Sequence, residues 1–122
     1  MFVLGIDPGL SRCGYCCLDT DGRKHTPVAL GVLTTEPSVP VPERLAELAA
    51  DLRGLIDEVR PDAVAVERVL FQVNVRTAIS VGQASGLVLA EAAGRGCTVV
   101  EYSPNEVKCA VAGHGAADKA EV

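Results

Sequence analysis

The sequence predicts an α/β domain built on a five-stranded mixed sheet, because closely spaced strand patterns give way to alternating helices and strands. Three apolar runs, FVLGI at 2–6, CGYCCL at 13–18 and VALGVLT at 28–34, are joined by short links that indicate an antiparallel meander. A polar turn at 19–24 separates the last two runs. Beyond residue 41 helical periodicity alternates with short apolar strands, so we expect the element order β-β-β-α-β-α-β-α.

Each later element has its own signal. Apolar residues at helical spacing predict a helix over 42–59, with Pro42 and Glu43 suited to its first turn. Asn74 is a candidate N-cap for the second helix, and Ser103 with Glu106 forms a capping box for the third. The remaining predicted elements are a strand over 63–66, a helix over 75–93, a strand over 97–102 and a helix over 103–112.

The helix over 42–59 can serve as a crossover, so strand four can run parallel to a strand of the meander. If strand four lies beside strand one, the strand order is 3-2-1-4-5. Such a sheet reverses its winding direction at its centre, and ligands bind beyond the carboxyl ends of the strands there. The sequence therefore predicts a site after strands one and four.

Composition narrows the class of protein. The chain has 122 residues, which suits one domain, and 48% of them are hydrophobic. No apolar run reaches the roughly 18 residues of a membrane helix, and residues 2–6 lack the features of a signal peptide, so we expect a cytoplasmic protein without a membrane partner. The net charge of −5 argues against a general nucleic-acid coat protein but not against a nuclease whose carboxylates bind metal.

Five cysteines at irregular spacing do not form a typical disulfide framework. Cys13, Cys16 and Cys17 resemble half of a zinc or redox motif, but no second Cys/His pair follows at ligand spacing. Strand alternation would also place Cys16 on the face opposite Cys13 and Cys17. We therefore expect buried, reduced thiols.

Two carboxylates follow apolar strands at the predicted sheet edge: Asp7 after strand one and Glu67 after strand four. Neighbouring strands lie about 5 Å apart, so the two acids would share a proton or hold a cation. An all-oxygen ligand set favours Mg²⁺ or Mn²⁺, the usual ions of phosphodiester hydrolysis. The alternatives are an ordinary Asp-Pro-Gly turn, a surface pair of Glu67 with Arg68, and a phosphate-binding turn of a nucleotide-binding protein.

Four segments together resemble the RuvC family of Holliday-junction resolvases: GIDPGLSRCGY at 5–15, PDAVAVERV at 61–69, VGQASG at 81–86 and SPNEVKCAVAGHGAADKAEV at 103–122. The resemblance implies an RNase H-like fold, a homodimer and a Mg²⁺-dependent endonuclease, with Mn²⁺ as a substitute. It also implies paired symmetric nicks in four-way DNA junctions and an association with the RuvA–RuvB branch-migration complex. The small residues of helix two would lie at the dimer interface.

The resemblance also assigns roles to individual residues. Asp7 and Glu67 match catalytic metal ligands, and Lys119 matches a catalytic basic residue near the scissile phosphate. Either Leu70 or Phe71 would insert at the junction. The remaining DNA contacts are basic: Arg12, Arg68, Arg76, Lys108 and, again, Lys119.

The family's remaining acids lie in a C-terminal segment that this sequence does not contain. We therefore expect residues 1–122 to form a single nuclease domain with an incomplete C-terminal helix, and to bind metal weakly and cleave poorly. Three alternatives stay open: an RNase H-like nuclease related to YqgF, one lobe of an actin-like nucleotide-binding protein, and a junction-binding domain without catalysis.

Overall fold

The computed structural model describes residues 1–67 and 75–102. These residues form five strands and two helices in the order β-β-β-α-β-α-β, as predicted for this part of the chain. The predicted cap Asn74 and the predicted helix over 103–112 lie outside the described residues. The elements are β1 (Phe2–Asp7), β2 (Arg12–Thr20), β3 (His25–Thr34), α1 (Val41–Val59), β4 (Ala63–Glu67), α2 (Val75–Gly94) and β5 (Thr98–Tyr102).

The five strands form one mixed sheet in the order β3-β2-β1-β4-β5, which confirms the predicted topology. β1, β2 and β3 form the antiparallel meander, whereas β4 runs parallel to both β1 and β5. Helix α1 makes the crossover from β3 to β4, and α2 makes the crossover from β4 to β5. The carboxyl ends of β1, β3, β4 and β5 therefore lie at one edge of the sheet, which we call the carboxyl edge.

Both helices pack on one face of the sheet, where they enclose the hydrophobic core. Alternate strand residues such as Leu4, Ile6 and Val64 point into this core, while their neighbours belong to the opposite face. Helix α1 contributes the predicted apolar stripe of Leu48, Leu52, Leu55 and Ile56. We call the face without α1 and α2 the open face.

The meander strands are longer than their apolar runs suggested. β2 reaches Thr20 and β3 begins at His25, because the connecting turn is tight. Asp21 Oδ1 accepts hydrogen bonds from the backbone N–H groups of Arg23, at 2.9 Å, and Lys24, at 2.8 Å. Gly22 follows Asp21 with a φ of 93°, which suits a residue without a side chain. The turn therefore occupies only residues 21–24 of the polar stretch predicted at 19–24.

The described cysteines are free thiols. Cys13 and Cys17 are fully buried on the helix side of β2, and Cys16 is half-buried on the open face, as the alternation predicted. Burial raises the pKa of the Cys13, Cys16 and Cys17 thiols, which keeps them protonated at neutral pH.

No helix among the described residues has the length and apolar character needed to cross a membrane.

Candidate metal and nucleic-acid site

Asp7 and Glu67 are the last residues of neighbouring parallel strands. Ile6 of β1 pairs with Val66 of β4, so the two acids occupy the next position along each strand. Each strand extends one residue further than its apolar run, and in each case that residue is the acid. Parallel pairing thus brings to one edge two carboxylates that are separated by nearly half of the sequence.

The two acids belong to the open face of the sheet. Ile6 and Val66, which precede them, point into the core, and side chains alternate along a strand. Asp7 is exposed and Glu67 is partly exposed. Gly14 of β2 lies opposite Asp7 and leaves the space on that side of the carboxylate without a side chain. A dissolved ion can therefore reach Asp7 from the solvent.

These acids would suit a hard divalent cation, because carboxylate oxygens are the ligands that such ions prefer and both acids lie on neighbouring strands. Within residues 1–67 and 75–102, no cluster of three or more His, Cys, Asp or Glu side chains could hold a metal ion. Of the described acids, Asp7 and Glu67 are the pair that adjacent strand ends bring together, and an all-carboxylate donor set fits Mg²⁺ or Mn²⁺ better than zinc.

Two of the predicted DNA-contacting arginines lie at the carboxyl edge. Arg12 begins β2, is exposed, and shares the open face with Asp7 according to the strand register. Arg76 is exposed in the first turn of α2, just after the segment that follows β4. Both α1 and α2 begin at this edge, so the positive ends of their dipoles lie there as well. This part of the domain combines acids that suit a cation with positive groups that suit phosphate.

The loop between β1 and β2 is held by a buried hydrogen-bond network that the sequence did not reveal. Arg44, in the first turn of α1, is only 8% exposed. Its Nε donates to Thr35 Oγ1 at 3.0 Å, and its Nη2 donates to Ser11 Oγ at 2.9 Å. Thr35 Oγ1 in turn donates to the carbonyl oxygen of Leu10 at 2.6 Å, and the Thr35 backbone N–H donates to the Ser11 carbonyl oxygen at 3.2 Å.

A signal for this network was present in the helical spacing. Arg44 lies four residues before Leu48 and so continues the apolar stripe of α1 with a charged residue. A charge at a core position of a helix indicates a buried polar partner. The sequence pattern alone did not identify Thr35 and Ser11 as those partners.

The other predicted site residues lie outside the described residues. Among them are the DNA contacts and the catalytic lysine proposed for the segments before α2 and after β5: Arg68, Leu70, Phe71, Lys108 and Lys119. The assignments of these five residues remain predictions from the sequence.

Comparison with known proteins identifies relatives of the whole chain. A family model described as "Crossover junction endodeoxyribonuclease RuvC" matches residues 3–122. A protein of that name from Rhodococcus opacus is 48% identical over the full chain, which spans 65% of the relative's length. One from Salinispora arenicola is 49% identical, and the chain spans 70% of it. The chain therefore matches about two thirds of the length of these relatives.

A solved structure described as "T. thermophilus RuvC in complex with Holliday junction substrate" superimposes with a TM-score of 0.85 and 34% identity. The match covers 98% of this chain and 75% of that one. Together with the strand order, it identifies the fold as RNase H-like. The chain accordingly belongs to the RuvC family of crossover junction endodeoxyribonucleases.

Proposed function

We propose that this protein is a metal-dependent endonuclease that resolves four-way DNA junctions by paired symmetric nicks in recombination and repair. The observation that carries the proposal is the parallel pairing of β1 and β4, which places Asp7 and Glu67 together at the carboxyl edge. Membership of the RuvC family, and similarity to a relative solved with a junction substrate, support the same activity.

Asp7 and Glu67 would hold the divalent ion, with Mg²⁺ as the expected cofactor and Mn²⁺ as a substitute. Such an ion supplies a Lewis acid that activates water and stabilises the leaving oxygen in phosphodiester hydrolysis. The role of the two strands is to fix both carboxylates before DNA arrives, so that little reorganisation is needed on binding. Lys119 would stabilise the charge that develops on the phosphate.

The positive groups at the carboxyl edge would orient the DNA backbone. Arg12 and Arg76 are exposed there and would contact phosphates, with Arg68 and Lys108 as further candidates. Leu70 or Phe71 would separate bases at the junction. Because the phosphate contacts are electrostatic, junction affinity should fall as salt concentration rises.

Helix α2 is the proposed interface of a homodimer. Its exposed side combines apolar and small residues, among them Val75, Ile79, Gly82 and Gly86. A side chain added at Gly82 or Gly86 would meet no described atom within 4 Å, so another helix can approach closely there. A two-fold dimer would present two metal sites to opposite strands of a junction. Association with RuvA–RuvB and a cytoplasmic location stay predictions from the sequence.

The test uses the full-length protein, because residues 1–122 alone are expected to cleave poorly, with a labelled four-way junction and a linear duplex of the same sequence, with and without Mg²⁺. We expect Mg²⁺-dependent symmetric nicks in the junction alone, lost in Asp7→Asn and Glu67→Gln. The matched control is Asp57→Asn, which removes an exposed carboxylate from the far end of α1.

Cleavage retained by Asp7→Asn, or equal cleavage of both substrates, would contradict the proposal. Junction binding without cleavage would favour the non-catalytic junction-binding domain. ATP binding without any interaction with DNA would favour the actin-like alternative.

A further inference from the structure

We propose that Arg44 is a positioning residue of the metal site, acting through the loop that joins Asp7 to β2. The inference rests on the proposed function, because it assumes that Asp7 binds a divalent ion. Arg44 itself would touch neither metal nor DNA. Its guanidinium would fix the backbone of residues 8–11, and thereby the direction in which Asp7 presents its carboxylate.

The side-chain hydrogen bonds of Arg44 lead to this loop, either directly or through Thr35. Through Ser11 Oγ the guanidinium holds the end of the loop directly, at 2.9 Å. Through Thr35 Oγ1, at 3.0 Å, it orients a hydroxyl that donates to the Leu10 carbonyl oxygen. The Thr35 backbone adds a third link, to the Ser11 carbonyl oxygen. Two successive loop residues are thus attached to the start of α1 and to the segment after β3.

The loop begins directly after Asp7 and has little freedom. Pro8 and Leu10 are buried, and Gly9 approaches the Arg12 carbonyl closely enough that a methyl group there would overlap it. A shift of Leu10 and Ser11 would therefore be transmitted to Asp7 through only two residues. Mg²⁺ requires a nearly ideal coordination geometry, so small shifts of a ligating carboxylate lower its affinity for the ion.

Fold stability alone explains the buried charge poorly. Arg44 continues the apolar stripe of α1, and no described carboxylate forms an ion pair with it. Apolar replacements for buried charged networks are often neutral or stabilising. Replacing Arg44 would leave Thr35 Oγ1 bonded to Leu10 and would leave exposed Ser11 to water, so neither hydroxyl would become buried and unsatisfied.

The experiment measures Mn²⁺ affinity directly, by the loss of the free-ion electron paramagnetic resonance signal, in parallel with thermal unfolding. The test variant is Arg44→Met, which keeps length and apolar packing but removes every donor. The matched control is Arg53→Met, on the same helix, which removes two hydrogen bonds from a guanidinium to Glu91 at 3.1 and 3.0 Å. Asp7→Asn defines the signal from the metal site.

We expect Arg44→Met to weaken Mn²⁺ binding about tenfold while it stays folded, and Arg53→Met to leave the affinity unchanged. Amide hydrogen exchange at residues 9–12 should accelerate in Arg44→Met but not in Arg53→Met. Thr35→Val keeps the charge of Arg44 and removes the linking hydroxyl, so it should also weaken Mn²⁺ binding. If Arg44→Met does not fold, the Mn²⁺ affinity of Thr35→Val tests the positioning role instead.

Wild-type Mn²⁺ affinity in both Arg44→Met and Thr35→Val would overturn the positioning role. If Arg44→Met is unfolded, wild-type affinity in Thr35→Val overturns it by itself. If Asp7→Asn binds Mn²⁺ as tightly as the wild type, the metal site of the proposed function fails instead. The two failures are therefore distinguishable in one set of measurements.

Discussion

Asp7 and Glu67 occupy matching positions on adjacent parallel strands, one residue beyond the pairing of Ile6 with Val66. The relationship depends on the crossover by α1, because an antiparallel β4 would place Glu67 at the opposite edge of the sheet. The two acids also share the open face, away from the helices that form the core. The topology therefore creates a pair of carboxylates without bringing any other described acid into the cluster.

The loop after Asp7 requires glycine at position 9. A Cβ added to Gly9 would overlap the carbonyl oxygen of Arg12, so the backbone must shift to accept Gly9→Ala. We expect Gly9→Ala to lower the free energy of unfolding by about 1–3 kcal/mol, measured by urea denaturation, and to weaken Mn²⁺ binding.

The control for this prediction is Gly54→Ala, within α1. A Cβ at Gly54 meets nothing within 4 Å, and alanine favours a helix, so we expect stabilisation of about 0.5–1 kcal/mol and unchanged metal affinity. Equal effects of the two substitutions would contradict the close approach at Gly9.

An ion pair between Arg53 and Glu91 joins α1 to α2 and should make stability depend on pH. The Arg53 guanidinium lowers the pKa of the Glu91 carboxyl below its ordinary value of 4.5 through hydrogen bonds and charge. The unfolded state then takes up the proton first, so the contribution is complete above about pH 4.5 and is lost as pH falls through the lower, folded pKa.

We therefore expect Arg53→Met to reduce the urea midpoint at pH 7 and to have a smaller effect near pH 3. The pair is partly exposed, so the difference at pH 7 should be small and should shrink further in high salt. If the decrease in urea midpoint caused by Arg53→Met grew as pH fell, the ion pair between Arg53 and Glu91 would not act as described.

The proposed dimer should depend on the exposed side of α2. Ile79 is 57% exposed in the single chain, so Ile79→Asp should leave the fold intact and place two charges in a dimer interface. We expect the mass measured by light scattering to fall from that of a dimer to that of a monomer. Leu30→Asp, at a residue of β3 that is 78% exposed, is the matched control and should not dissociate the dimer.

A wild-type monomer at high protein concentration would contradict the dimer proposal, and so would a dimer that Ile79→Asp leaves intact.

The short links predicted the meander and the first helix allowed a parallel crossover, so the order 3-2-1-4-5 followed on the condition that strands one and four are neighbours. The pairing of β1 with β4 confirms that condition. The same signals predict that Asp7 and Glu67 lie at one edge of the sheet, and the parallel pairing of β1 with β4 confirms it. The beginning of β3 was predicted three residues late, since Asp21 makes a tighter turn than its polar neighbours suggest.

The network around Arg44 could not be predicted in full. Helical spacing marks Arg44 as a charge on an apolar stripe, but its partners Thr35 and Ser11 come from separate segments with no shared pattern. Hydrogen bonds between side chains of distant segments depend on how the elements pack, which periodicity does not encode. The same limit applies to the dimer. The small and apolar residues on α2 indicate a surface suited to close contact, but they do not indicate how a second chain packs against it.

The most direct test of the account is whether Asp7 and Glu67 bind the same ion. Mn²⁺ affinity would be measured for the wild type, Asp7→Asn, Glu67→Gln and the double variant, with Asp57→Asn as the control for net charge. We predict that each single substitution weakens binding at least tenfold and that the double variant is little worse than either one, because both acids serve one site. Wild-type Mn²⁺ affinity in either single variant, or independent and additive losses of affinity in the double variant, would contradict the assignment of both acids to one metal site.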